Sequence, residues 1–160
     1  MITVRAAQSS DAPQILAFIR GLGEYEHLSS EIIATEEALR ATLFGERAYA
    51  EVLIAEWEGE PAGFALFFHS YSTFLAQPGI YLEDLFVEPA FRKRGVATAL
   101  LRHLAGLAVA RDCGRLEWSA LAWNRLAIDF YLKLGAVEMD AWRIYRLTGQ
   151  PLARLAGSAP

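Results

Sequence analysis

Three stretches of the chain combine residue types that can do chemistry. In the first, Arg92-Lys93-Arg94-Gly95 leads into apolar residues at helical spacing: Val96, Ala97, Leu100, Leu101, Leu104, Leu107 and Ala108. A glycine in the opening turn of a helix makes an anion site. The first amides have no internal partner, the macrodipole puts about half a positive charge there, and the missing Cβ lets a bulky group approach. Three cations strengthen that field, so the chemistry is binding of a phosphate or pyrophosphate; a solvated basic turn is the alternative. The second stretch is Glu83-Asp84, two carboxylates inside the otherwise apolar run 80–87, IYLEDLFV. The third is Glu24-Tyr25-Glu26, where carboxylates flanking an aromatic ring could hold an ammonium by charge and cation–π attraction. A solvated helix end would read the same way. The histidines, His27, His69 and His103, have no metal-ligand spacing.

The elements that position these groups follow from pattern. Residues 80–87 read as a strand that Pro89 ends. Regular alternation puts Tyr81, Glu83 and Leu85 on one face and Leu82, Asp84 and Phe86 on the other. A regular central strand would then bury a carboxylate, which is costly unless cations meet it. A bulge or splay is the other solution; it would leave amides near Phe86 and Val87 free for a ligand. Upstream, residues 2–7 alternate as a first strand. Ser9-Ser10-Asp11 with Pro13 opens a helix carrying Ile15, Leu16, Phe18, Ile19 and Leu22, which stops near Gly23. A second helix runs from Thr35 to Phe44 and ends at Gly45. Strands 51–57 and 62–71 are joined by a hairpin turn at 58–61, the second buried on both faces. The loop 72–79 exposes Phe74.

Downstream, the helix from Gly95 ends near Cys113, with Gly114 as a left-handed stop. Residues 115–121 read as a strand. Asn124 suits the N-cap of a helix striped by Ala127, Phe130, Tyr131 and Leu134 and closed by Gly135, and its spacing puts Asn124 and Tyr131 along one face. Residues 138–147 read as one or more closing strands, 150–156 as a short amphipathic helix, and Gly157 to Pro160 as a frayed tail.

Composition bounds the answer. A chain of 160 residues is expected to form one domain, 1–160, with a real core. Hydrophobic residues make up 54% but are dispersed, so no membrane span is expected, and the opening residues read as a strand rather than a signal peptide. One cysteine cannot form an internal disulfide, which fits a cytoplasmic protein. A net charge of −4 argues against nucleic-acid binding and is compatible with a cationic small molecule.

Arg92-x-x-Gly95-x-Ala97 resembles the acetyl-CoA pyrophosphate loop, R/Q-x-x-G-x-G/A, of the GNAT family of N-acetyltransferases. The string YLEDLFVEPAFR before it is similar to the spermidine/spermine N1-acetyltransferase branch, which includes thialysine acetyltransferases. Asn124-x-x-Ala127-x-x-Phe130-Tyr131-x-x-x-Gly135-Ala136 resembles the second signature of the family. The resemblance implies an α+β, three-layer fold. Its sheet would be mixed and mostly antiparallel, with six to seven strands, a splayed middle strand and about four flanking helices.

It also implies direct acetyl transfer from acetyl-CoA to a primary amine. The coenzyme would be held by backbone at Leu85, Phe86 and Val87, by the turn Arg92, Lys93, Arg94, Gly95, Val96, Ala97 and Thr98, and by Asn124, Ala127, Tyr131 and Lys133. Tyr25, Glu26, Phe74, Glu83, Asp84 and Trp142 would line the acceptor site, though Phe74 stands where the family has a tryptophan and Trp142 equally suits core packing. Making an alkylammonium of pKa near 10.4 neutral at pH 7 costs roughly 4–5 kcal/mol, so a carboxylate must accept a proton. Glu83 is the first candidate, directly or through water, and Tyr131 would serve the leaving thiolate. A homodimer is expected, with no nucleic acid, membrane or metal. A non-catalytic acyl-CoA sensor and an enzyme acting on a protein amine are the alternatives.

Overall fold

The apolar runs of the first 119 residues pair into one sheet. In the computed structural model, which describes residues 1–158, its strands are β1 (Ile2–Ala6), β2 (Glu51–Trp57), β3 (Glu60–Ser72), β4 (Gln77–Val87) and β5 (Leu116–Trp118), in the order β1-β2-β3-β4-β5. The first four pair antiparallel, and β5 joins β4 in parallel. Glu58 and Gly59 both take positive φ, 53° and 88°, which matches the twist a two-residue hairpin needs. The chain divides into two compact units, Met1–Ser119 and Ala120–Pro160.

In the first unit both faces of the sheet are covered. Val52, Ile54, Phe64 and Phe86 form a core with Ile15, Leu16 and Phe18 of α1 (Ala12–Tyr25) and Leu39 and Leu43 of α2 (Glu36–Phe44). Phe18 stacks on Phe64 with ring centroids 5.4 Å apart. Strand alternation turns Leu53, Ala55, Ala65, Phe67 and Leu82 to the opposite face. There α3 (Val96–Ala110) packs against the sheet, burying Val96, Leu100, Leu101 and Leu104. The result is the expected three-layer arrangement.

Two helix ends differ from the sequence reading. Helix α1 passes through Gly23 to Tyr25, and the left-handed residue beyond it is His27, φ 60°. Gly21 and Gly23 serve close approach instead: a Cβ on Gly21 would lie 2.6 Å from the Phe86 ring, and one on Gly23 would collide with Ile32. Helix α3 runs to Ala110, the left-handed residue beyond it is Asp112, φ 53°, rather than Gly114, and the Cys113 amide donates back to Ala108 at 2.9 Å.

The second unit holds α4 (Arg125–Lys133) and α5 (Gly149–Leu155). The Asn124 side chain accepts from the Ala127 amide at 3.3 Å, and Gly135, φ 91°, closes α4 as expected. The closing strands expected at 138–147 do not form. Trp142, Ile144 and Tyr145 are 77–88% exposed there. An alternating apolar run becomes a strand only where another edge supplies hydrogen-bond partners, and the described residues of this unit contain no other strand. Among the described residues the sheet therefore has five strands rather than six or seven, and there are five α-helices rather than about four. The expected strand 115–121 contracts to three residues, Leu116–Trp118. No described helix is long and apolar enough to cross a membrane. The frayed tail expected from Gly157 falls in part on residues 159 and 160, which lie outside the described residues.

Candidate active site

The two carboxylates of β4 are accommodated by a bulge. Phe67 stands opposite Leu82 and Leu66 opposite Asp84, so Glu83 is an extra residue without a partner on β3. The extra residue resets the alternation. Leu82 shares the face of Phe67, while Asp84 and Phe86 share that of Leu66 and Phe64. The expectation that Leu82, Asp84 and Phe86 lie on one face is corrected accordingly. Glu83 is exposed and Asp84 half-buried on the α1 side. The Asp84 carboxyl is pushed up to about 6, first by burial and then by the charges of Glu83 and Glu26. Burial also raises Glu26, one residue beyond α1. The structure thus brings Glu26, Glu83 and Asp84 into one acidic cluster.

Beyond the bulge the edge of β4 is open. Strand β5 pairs only with Ile80, Tyr81 and Leu82. The Glu88 amide donates to the Ala62 carbonyl at 2.9 Å, which sets the phase of the β3–β4 ladder. Asp84 and Phe86 then turn their amides toward β3, and Leu85 and Val87 turn theirs toward the side where β5 has ended. The open amides are therefore those of Leu85 and Val87; the Phe86 amide, expected to be open, is directed into the ladder, and its ring is buried against Phe18.

The basic turn follows directly. Lys93 and Gly95 have left-handed φ, 61° and 85°, and Gly95 is the N-cap of α3. A Cβ on Gly95 would have only Ile2 Cδ1 near it, at 3.9 Å, so the cradle in front of Val96, Ala97 and Thr98 is roomy. Two of the three cations lie over aromatic rings. The Arg94 guanidinium is 5.2 Å from the Trp57 centroid. That of Arg92 is 4.8 Å from the Tyr25 centroid and 5.9 Å from Phe86, and its Nε donates to the Val87 carbonyl at 3.1 Å.

Of the other expected site residues in the first unit, Phe74 lies apart from this cluster. Phe74, 97% exposed, is at the tip of the β3–β4 hairpin. At about 3.3 Å per residue it is roughly 20 Å or more along β4 from Glu83, so the fold does not bring the two together. In the second unit Asn124 caps α4, Tyr131 has its ring 5.6 Å from Phe130, Lys133 is in the last turn, and Trp142 is 77% exposed. The feature that sequence reasoning missed is Arg92 over Tyr25. No spacing pattern could announce it, because it joins the end of α1 to the turn before α3.

Residues 17–136 match the model of the acetyltransferase (GNAT) family, and the chain belongs to that family. The match crosses from the first unit into the second. The chain is accordingly an N-acetyltransferase, of a family whose acetyl donor is acetyl-CoA. It is 38% identical to a thialysine N-epsilon-acetyltransferase of Bos taurus over 167 residues, covering 98% of each chain. It is 31% identical to an L-ornithine N5-acetyltransferase of Arabidopsis thaliana, over 93% of this chain and 85% of the relative. Among solved structures, an integron cassette protein from the mobile metagenome of V. cholerae superimposes with a TM-score of 0.82 at 26% identity, covering 97% of each chain. An aminoglycoside acetyltransferase from a soil metagenome, with sisomicin bound, reaches 0.76 at 18% identity over 92% of this chain and 97% of that one, a likeness of fold alone.

Proposed function

We propose that the chain transfers the acetyl group of acetyl-CoA directly to the primary amine of a small cationic acceptor, a polyamine or a thialysine- or lysine-like amine. The observation that carries this reading is the grouping of Glu26, Glu83 and Asp84 at the point where β4 opens its Leu85 and Val87 amides. A cationic acceptor needs the first feature, and a carbonyl that becomes an oxyanion needs the second. Relatives named for thialysine and ornithine acetylation support the same substrate class.

Acetyl-CoA supplies an acetyl group activated as a thioester. The residues present fit it: the space at Gly95, the first amides of α3, and the charges of Lys93 and Arg94 suit a diphosphate. The amides of Leu85 and Val87 suit the polar arm. Asp84 and Glu26 hold the distal cation of the acceptor. Glu83, the most exposed of the three carboxylates, takes the proton from the reacting ammonium, directly or through water. Tyr131 donates to the departing sulfur, and Asn124, Ala127 and Lys133 belong to the coenzyme side. These roles rest on the match of α4 to the family signature. Trp142 is assigned to the acceptor side on the same ground. The protein acts as a single transferase domain and as a homodimer in the cytoplasm; Tyr71, Phe74 and Leu75, exposed at one hairpin tip, suit a subunit contact better than the acceptor site of their own chain.

One screen tests the reading. The protein is incubated with acetyl-CoA and, in turn, thialysine, lysine, ornithine, spermidine and a neutral primary amine, and free thiol is measured. Release with the di- and polycationic amines is expected. Release that is independent of acceptor, or confined to the neutral amine, contradicts it.

A further inference from the structure

The three cations before Gly95 are not equivalent. Arg92 makes a set of contacts of its own: Nε donates to the Val87 carbonyl, and the guanidinium carbon lies 4.8 Å from the Tyr25 ring centroid and 5.9 Å from that of Phe86. Among the described residues no carboxylate pairs with it. These contacts join three elements. Tyr25 is the last residue of α1 and precedes Glu26, whose charge is felt at Asp84. Val87 ends β4 and bears one of the two open amides. Arg92 itself leads the turn into α3.

Resting on the acetyltransferase reading above, we infer that Arg92 is a positioning residue for the acceptor side, tying Tyr25 and Glu26 to the open end of β4, and not a charge ligand of the coenzyme diphosphate. A guanidinium can stack on one ring and donate Nε in its own plane at the same time, which an ammonium cannot. Without that tie the end of α1 loses its anchor on the β4–α3 turn, and Glu26 loses its fixed distance from Asp84. The phosphate field keeps Lys93, Arg94 and the helix amides. Because one side chain touches both the acceptor end of α1 and the coenzyme edge of β4, binding on either side is coupled to the other, and the coupling is reciprocal.

The experiment compares Arg92→Lys, Arg92→Ala, Tyr25→Ala and the Arg92→Ala/Tyr25→Ala double variant. Coenzyme A affinity is measured by calorimetry at low and high salt, acceptor kinetics by thiol release, and stability by urea denaturation. Both Arg92 variants are expected to raise the acceptor KM about tenfold, with coenzyme A affinity within about twofold and an unaltered salt dependence, and Arg92→Ala to add under about threefold once Tyr25 is gone. If Arg92→Lys restores a wild-type acceptor KM, or if Arg92→Ala lowers coenzyme affinity about tenfold and flattens its salt dependence, Arg92 is a phosphate ligand and the inference is overturned. The urea data keep the test valid if activity is lost: effects of the two substitutions that simply add would show that the contact does not exist. A wild-type protein that couples the pair in urea yet transfers no acetyl group would refute the enzymatic reading and with it any positioning role.

Discussion

Glu26, just beyond the end of α1, raises the proton affinity of Asp84 in the middle of the sheet. Burial is the larger influence and Glu83 the second, and together they lift the Asp84 carboxyl from its ordinary 3.8 to about 6. A carboxyl that holds its proton more tightly when folded weakens the fold as it ionises. The folded state carries the extra proton between the two values, so stability falls as pH rises from about 4 to about 6, and the whole penalty is present above that. A shift of this size corresponds to about 3 kcal/mol. Asp84→Asn should therefore stabilise the ligand-free protein by about 1–3 kcal/mol at pH 8 and by little at pH 4, as read by urea denaturation at the two pH values.

The same ionisation should govern the acceptor. A cationic amine gains its partner only once Asp84 is charged, so its KM should fall by roughly tenfold between pH 5 and pH 7. Asp84→Asn should remove most of that dependence, whereas Glu83→Gln should depress kcat and keep the KM profile, moved to lower pH because one of the charges that raise Asp84 is gone. Steady-state kinetics across this range separates the roles; an unchanged KM profile in Asp84→Asn would assign the titration to another group.

Gly95 should tolerate little. Its φ of 85° costs an L-residue about 1–2 kcal/mol, while the space where a Cβ would stand is open. Gly95→Ala is therefore expected to lower stability by about that amount and weaken coenzyme A modestly. Gly95→Glu should abolish measurable coenzyme binding in calorimetry, since it puts a negative side chain into the cradle. Retained affinity in Gly95→Glu would move the diphosphate elsewhere.

Tyr131→Phe isolates the hydroxyl. The proposed role predicts a fall in kcat of about a hundredfold with coenzyme A affinity within about twofold. Equal losses in both would assign the residue to packing.

Much of this organisation is legible in the sequence. Glu58-Gly59 is a hairpin turn because Gly59 takes its φ of 88° freely, and Asn124 caps α4 because its side-chain oxygen reaches the Ala127 amide. The irregularity at Glu83-Asp84 follows from the cost of burying a carboxylate in a regular strand, and the bulge lies there. Which amides it frees was not legible. That depends on the phase of the ladder, which is fixed by the partner strand through Glu88 and Ala62. Gly23 and Gly114 looked like helix stops, yet glycine also serves where two segments approach closely, and a linear pattern cannot separate the uses. Residues 138–147 alternate like a strand, but alternation records a preference and not the presence of a partner edge. The pairing of Arg92 with Tyr25 left no trace at all, since contacts between distant segments are a property of the folded chain.

Strand β5 touches β4 at three positions and then stops. Past that point β5 supplies no further rung, and under the proposed function a polar chain laid alongside Leu85 and Val87 would complete the sheet as a surrogate strand. An isotope-exchange experiment would see this as two fast amides beside slow ones in the ligand-free protein, with the two becoming protected when the coenzyme arm is laid in. Recognition of that arm would then depend on its backbone-like amides rather than on any side chain, which leaves β4 free to vary its outward residues for different amines without loosening its hold on the donor.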